Sequence, residues 1–428
     1  MTLILILLGL VLLLLTGIPL FAGLGLTSIV VLVAVEGRVG GLADEVYAKL
    51  SNYVLVAIPL FALMAHVLIK AKIVDDLYAF AYTLVRHWPG GLAVATVLAC
   101  TVFAAISGSS VATALTIGSV AIPQMLRYGY RPHVAYGVLA AGGTLGILIP
   151  PSGPMVLYSV VTEASIGALF IAGLVPGLLL AALFAAFCVL HALVDGRIER
   201  LPAARPGEIL GALRRAVWAL VLPPVVLGGI YLGIFTATEA AAVGALAAIA
   251  IARFAYGALP LGALLEAAHE SARTTAMLFL ILGAAAMFGH VISVLGLPRD
   301  LLALVVGQEI GQLGFLLAVM ALVFLLGMFL ETISIILVTT PIVLPVMLHL
   351  GIDPVWYGIL LMVNLELALI TPPVGMNLFV IKSISGAGLG QIVRGVLPYV
   401  LLLLAGLVAV LLLPELALWL PSTTRFGR

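Results

Sequence analysis

Long apolar runs follow one another along this chain from its first residues nearly to its last, and only lipid can be the solvent for most of them. A helix needs roughly 20 apolar residues to cross the hydrocarbon core. Such runs lie near 53–70, 134–161, 168–194, 217–235, 238–257, 274–295, 355–381 and 396–421, and each reads as a span. The first run, 2–35, would be roughly 51 Å long at about 1.5 Å per residue, against a core of about 30 Å. Gly17 and Pro19 interrupt it, so it reads as two short spans, with one kinked helix as the alternative. It lacks a positive leading segment and many spans follow, which favours a span over a removable signal peptide. Charged residues make up 9% of the chain, where a soluble domain carries about 25%. The net charge of +1 comes without a basic stripe, so no nucleic-acid partner is expected. Cys100 and Cys188 sit in apolar runs and read as buried thiols, not a disulfide framework. Amphipathic pieces near 73–88, 260–273 and 383–395 are expected to lie along the membrane interface.

Two more apolar stretches are broken. One is 91–125, interrupted at Ser107-Gly108-Ser109-Ser110; the other is 314–346, interrupted near Glu331-Thr332. Each is long enough to enter the membrane and return. The chain also repeats itself. Pro123, Met125, Leu126, Gly129 and Pro132 match Pro345, Met347, Leu348, Gly351 and Pro354, each pair 222 positions apart. Pro150, Pro151, Gly153, Gly173 and Pro176 match Pro372, Pro373, Gly375, Gly395 and Pro398 at the same spacing. His66 pairs with His290 and Asp76 with Asp300 at a spacing of 224. Chance likeness of apolar sequence explains matched Leu and Val, but not a run of matched Pro, Gly, His and Asp. Repeats are a building rule of transporters.

Lysine and arginine gather on the cytoplasmic side of membrane proteins. With Lys70, Lys72 and Arg86 placed inside, Arg127 and Arg131 fall inside only if 91–125 turns back within the membrane. Spans 134–161 and 168–194 then return the chain to an inner loop carrying Arg197, Arg200, Arg205, Arg214 and Arg215. Outside remain Arg38, Lys49, Arg299, Arg425 and Arg428. An odd number of crossings separates His66 from His290, so the second half is upside down. The expected fold is an all-α polytopic membrane protein, an inverted repeat with two re-entrant helical hairpins and two broken helices.

Backbone that leaves helical form inside lipid survives only where protein or a cavity satisfies it. Here the breaks come in matched pairs: Ser107–Ser110 with Gly146–Ser152, and Gly327–Thr332 with Ala368–Gly375. Proline frees the carbonyl four residues earlier, so paired prolines expose oxygens. Oxygen clusters suit a hard monovalent cation, and helix N-termini at the same breaks suit an anion. Glu331 and Glu366 are acids in apolar surroundings and therefore functional candidates, or else acceptors for hairpin backbone. His66 and His290 are expected to pack or bond helices rather than carry protons. No His or Cys grouping suggests a transition-metal site.

Four motifs carry a family resemblance. Ser107-Gly-Ser-Ser-Val-Ala-Thr113, Gly143-Thr-Leu-Gly-Ile-Leu-Ile-Pro-Pro-Ser152, Gly327-Met-Phe-Leu330 and Thr371-Pro-Pro-Val-Gly-Met-Asn-Leu-Phe379 resemble the large membrane subunit of TRAP (tripartite ATP-independent periplasmic) transporters. The resemblance implies a transport subunit of the bacterial or archaeal inner membrane. It implies a small four-helix membrane subunit and a periplasmic substrate-binding protein as partners. It further implies Na+ coupling, an elevator movement, and organic anion substrates such as C4-dicarboxylates, sialic acids and sugar acids. One implied sodium site carries onto Ser107, Ser109, Ser110, Gly143 and Gly146, the second onto Gly327, Thr332, Ala368, Thr371 and Val374. Many members read Asp-Pro where this chain reads Glu331-Thr332, so the acid is lengthened and the proline lost.

The anion is expected between Ser107–Ser110 and Thr371–Asn377, with Pro150, Pro151, Ser152, Pro372, Pro373 and Gly375 shaping the region. The expected organisation is N-terminal scaffold spans in 1–52, a first repeat in 53–195, an inner loop with central scaffold spans in 196–273, and a second repeat in 274–428. A stand-alone anion symporter or exchanger would share this architecture without a binding protein. An intramembrane enzyme using Ser109 or Ser110 with His66 is disfavoured, because His66 is mirrored by His290 while the serines are mirrored by Glu331. A channel or proton-pumping subunit would favour lysines or paired carboxylates along a row of helices, which this chain lacks.

Overall fold

The computed structural model describes residues 16–196 and 201–424, together with Gly9 and Leu13. All regular structure among them is helical. Most of the first run, 2–35, lies outside the described residues, so its one-or-two-span reading does too, as do Arg197, Arg200, Arg425 and Arg428. The described part of that run ends in α1, Leu20–Glu36, which starts after Pro19 and stops at the left-handed Gly37.

The first half continues with α2 (Leu42–Leu50), α3 (Ala57–Lys70, entered through the tight turn Tyr53–Val56) and α4 (Ile73–Val85). Next come α5 (Gly91–Ser107) and α6 (Ser110–Arg127), then α7 (Pro132–Thr144, prolonged by the turn Leu145–Ile147) and α8 (Gly153–Thr162), then α9 (Ile166–Asp195). Two helices follow, α10 (Pro206–Tyr231) and α11 (Ala237–Ala250). The second half holds α12 (Leu261–Val294), α13 (Leu297–Gly307), α14 (Gln312–Gly327), α15 (Thr332–His349), α16 (Pro354–Leu369), α17 (Met376–Ser385), α18 (Leu389–Leu412) and α19 (Glu415–Ser422). By length and composition, seven stretches among the described residues can cross a membrane: Tyr53–Lys70, Ile166–Asp195, Pro206–Tyr231, Ala237–Ala255, Leu261–Val294, Thr332–His349 and Leu389–Leu412.

Both broken stretches are hairpins whose ends lie together. Tyr82, before the first, and Tyr128, after it, have ring centroids 6.3 Å apart. Across the second, the Gln312 amide donates to the Leu350 carbonyl at 2.6 Å. The charges agree. Arg86 meets Glu208 at 2.6 Å and Arg131 meets Asp195 at 2.8 Å, so the residues flanking the first hairpin share one end of the molecule with the 195–208 connection.

Small residues let the two halves interlock. A Cβ at Gly137 of α7 would collide with the Gly395 carbonyl of α18, and one at Gly395 with the His133 carbonyl. Backbone contact of this kind is how small residues join helices in lipid. Gly395→Leu is therefore expected to cut the yield of monodisperse protein about tenfold, because an overpacked core costs about 1–3 kcal/mol or more. Fluorescence-detected size exclusion reads this; a wild-type profile would contradict the packing.

The structure corrects four segments. The piece 260–273 is not a separate interfacial helix but the first part of the continuous α12. Nothing in Leu261–Arg273 breaks a helix, and two acids on its polar face reach across to another helix. Lys70 lies 3.1 Å from Glu266 and 3.0 Å from Glu270, and His66 lies 3.2 Å from Glu270. The piece 383–395 is split between α17 and α18 by the left-handed Gly386. The last span, 396–421, is two helices, because α18 stops at Leu412 just before Pro414. The span near 217–235 starts earlier, at Pro206 in the first turn, with Glu208 bonded back to the Arg205 N–H at 3.2 Å.

Candidate functional site

Each hairpin tip sits on a helix break. In the first half, Gly108 makes the tip turn at φ 59°, and a Cβ there would strike the Pro151 carbonyl. The Ser110 hydroxyl donates to the Thr144 carbonyl at 3.0 Å. A Cβ at Gly146 would lie 2.5 Å from the Ser109 carbonyl oxygen, and one at Gly143 would lie 2.7 Å from the Ala114 Cβ. Glycine at 143 and 146 thus allows backbone to rest on backbone. Within the tip, the Ser107 hydroxyl is 2.8 Å from that of Thr113, which donates to the Ser109 carbonyl at 2.8 Å. Ser152 bridges the break, donating to the Ile147 carbonyl at 2.6 Å and accepting from the Met155 N–H at 3.5 Å.

The second half builds a similar junction from different residues. A Cβ at Gly327 would lie 2.6 Å from the Ala368 Cβ, and the Gly375 N–H donates to the Met328 carbonyl at 3.3 Å. Thr332 is buried at the start of α15, while Val374 is 38% exposed. The Thr371 hydroxyl turns back to the Leu367 carbonyl at 2.7 Å. Glu331 precedes α15, and the Ser334 hydroxyl donates to its carboxylate at 3.4 Å. Glu366 is fully buried, and neither of its oxygens has a hydrogen-bond partner. Asn377 crosses between the halves, its amide donating to the Ala140 carbonyl of α7 at 3.3 Å.

Both junctions open on one cavity of about 220 Å³. Its wall takes in Ser107, Gly108, Ser109 and Ser110 from the first tip and Pro151, Gly153 and Pro154 from the first break. Glu331, Thr332 and Ile333 come from the second tip, and Leu369 and Met376 flank the second break. Pro150, Ser152, Thr371, Pro372, Pro373, Gly375 and Asn377 lie outside that wall, so the Thr371–Asn377 segment reaches it only at Met376. The remaining wall includes Ile58, Phe61 and Ala62 of α3 and Thr274, Met277 and Leu278 of α12. Sequence reading did not single these out. Apolar side chains in unbroken spans carry no local mark of a cavity.

The first residues of four helices line this space: Ser110 of α6, Gly153 of α8, Thr332 of α15 and Met376 of α17. Helix N-termini carry partial positive charge and unpaired N–H groups, and at two of these four one N–H is capped, that of Ala112 by Ser109 and that of Met155 by Ser152. Four of them around one cavity would favour an anion, and no lysine or arginine is among the described residues of its wall. Glu331 is the one acidic or basic side chain among the described residues of that wall. The described residues hold no group of three or more His, Cys, Asp or Glu suited to a metal ion. Cys100 and Cys188 are buried free thiols. His66 and His290 each sit against an acid, Glu270 at 3.2 Å and Glu45 at 3.8 Å, and neither lines the cavity.

Comparison with known proteins agrees with the architecture. The family described as "Tripartite ATP-independent periplasmic transporter, DctM component" matches residues 7–416. A relative from Pseudomonas aeruginosa, the C4-dicarboxylate TRAP transporter large permease protein, is 41% identical over 400 residues, covering 93% of each chain. The ectoine TRAP transporter large permease protein of Halomonas elongata is 34% identical over 411 residues, covering 95% of this chain and 96% of its own. The crystal structure of the Alcanivorax borkumensis YdaH transporter shares the fold, with a TM-score of 0.64 at 15% identity over 88% of each chain. The relatives are transporter permeases of the inner membrane, not enzymes. The chain accordingly belongs to the tripartite ATP-independent periplasmic transporter family, as its large permease component.

Proposed function

We propose that this permease takes up a carboxylate-bearing solute in symport with Na+, receiving it from a periplasmic binding protein and working beside a small four-helix membrane subunit. The observation that carries this reading is the convergence of four helix N-termini on one cavity. The C4-dicarboxylates and ectoine named for the relatives both bear a carboxylate, the group such a site would hold. Sodium suits the tips, where hydroxyls and carbonyls crowd with no opposing lysine: Ser107, Ser109, Ser110, Gly143 and Gly146 in one half, Gly327, Thr332, Ala368, Thr371 and Val374 in the other. Ion binding would order the tips before the solute enters. The hairpins and broken helices then move as one body against α3 and α12, which supply the rest of the cavity wall. Inverted halves allow this, because the two hairpins reach the cavity from opposite membrane faces.

The test is uptake into proteoliposomes holding the permease and small subunit, with solute-loaded binding protein outside. An inward sodium gradient is expected to raise initial uptake at least tenfold over equal sodium on both sides. Uptake indifferent to sodium would contradict the coupling ion. Full uptake of free solute without the binding protein would contradict the delivery step.

A further inference from the structure

The second broken helix carries an acid with no partner. Glu366, in α16, is the one fully buried carboxyl among the described residues, and neither oxygen is hydrogen-bonded. At 3.6 residues per turn, it projects between the faces of Gly358 and Trp356. Gly358 packs on Tyr158 and Leu169 of the first half, and the Trp356 indole donates to the Val410 carbonyl of α18 at 2.9 Å. That direction leads between the halves, where α16 also packs on α7 and the turn Leu145–Ile147.

The place has a counterpart 222 positions earlier, Thr144. Its hydroxyl donates to the Ala141 carbonyl at 2.7 Å, and its carbonyl accepts from Ser110 at 3.0 Å. One half fills the position with a satisfied hydroxyl and the other with an unanswered carboxyl. A second oxygen is left over on the same broken helix: Asn377 Oδ1 is buried and unpartnered, although its amide nitrogen reaches Ala140 of α7. A lone carboxylate in an apolar interior is not stable without a compensating positive charge.

No ionisable neighbour among the described residues supplies that charge. Tyr158 donates to the Pro354 carbonyl at 2.6 Å, three turns away along α16. Tyr399 of α18 turns to Cys188 of α9 at 3.3 Å. Asp195 is held by Arg131, and His133, Arg394 and Lys382 sit toward the helix ends remote from the breaks.

We propose that Glu366 binds a monovalent cation carried with the solute, a proton or sodium, in addition to the ions at the hairpin tips. The proposal rests on the uptake reading above. An ion bound at Glu366 neutralises it on the loaded journey. Its release leaves one negative charge to return with the empty site, so each cycle moves one extra positive charge inward.

The permease with its small subunit is purified as wild type, Glu366→Gln and Glu366→Asp. Melting temperature is then read against sodium at fixed pH and against pH at fixed sodium. One of the two dependences is expected to weaken in Glu366→Gln and persist in Glu366→Asp: that on sodium if the site takes sodium, that on pH if it takes a proton. In proteoliposomes, Glu366→Gln is expected to carry one positive charge fewer per solute, read from the reversal potential. Equal dependences and equal charge per solute in all three proteins would overturn the proposal. A wild type that transports nothing would instead overturn the uptake reading, because the melting measurement needs no transport.

Discussion

Gly146→Ala is expected to abolish uptake while leaving a folded protein in the membrane. The added Cβ would lie 2.5 Å from the Ser109 carbonyl oxygen and 2.8 Å from the Ser110 nitrogen. Both are backbone atoms at the tip, so no side-chain rotation relieves the contact and the whole tip must lift. Ser110 then loses the Thr144 carbonyl, and the N-terminus of α6 swings out of the cavity wall. A misplacement of about 1 Å in a positioning element costs on the order of 100-fold. The hairpin stems keep their packing, so melting temperature should fall far less than activity. Initial uptake and thermal unfolding of the same preparation read this. Wild-type uptake in Gly146→Ala would mean that the tip and break are not the working junction.

Met277→Glu is expected to cost roughly as much by a different route. Met277 lines the cavity from α12, on the side away from both junctions in sequence, and is 48% exposed. A carboxylate there would compete with the solute for the four helix N-termini. Each N-terminus is worth about 0.3–1 kcal/mol to a nearby anion. Four together give about 1–4 kcal/mol, or roughly 10- to 1,000-fold in affinity at about 1.4 kcal/mol per decade. Met277→Gln keeps the size without the charge and is expected to transport within about threefold of wild type, the range of a weak polar change at a partly exposed position. Solute affinity measured side by side for the two variants separates charge from shape. Equal affinities would contradict an anion site built from helix ends.

Much of the fold was legible because helix breaks in lipid are expensive and need marked residues. Gly108, Gly146, Pro150-Pro151 and Pro372-Pro373 announced the two breaks and the first tip. The arginines required the first hairpin to return, and Arg86, Arg131 and Tyr82 with Tyr128 are placed accordingly. Other features left no local mark. The polar face of 260–273 reads as an interfacial helix because sequence cannot say that Glu266 and Glu270 reach Lys70 and His66. Phe61, Thr274 and Met277 read as ordinary span residues, since only the tertiary arrangement brings α3 and α12 to the cavity. The break at Pro414 lies inside a long apolar run, where a single proline does not stand out from a kink. The halves also differ where the repeat gives no warning: α12 is one helix of 34 residues, whereas its counterpart is divided into α2 and α3 by the turn at Ser51–Val56.

The most direct test of the central claim is a structure of the permease with its small subunit and bound solute. The solute carboxylate is expected within hydrogen-bond distance of backbone N–H groups at the starts of α6, α8, α15 and α17, with the rest of the solute against Phe61 and Met277. There is a competing location. A second cavity of about 390 Å³ lies between α12 and α15, with Lys49, His290 and Glu45 in its wall. Solute held there by Lys49, with the four helix starts untouched, would contradict the account.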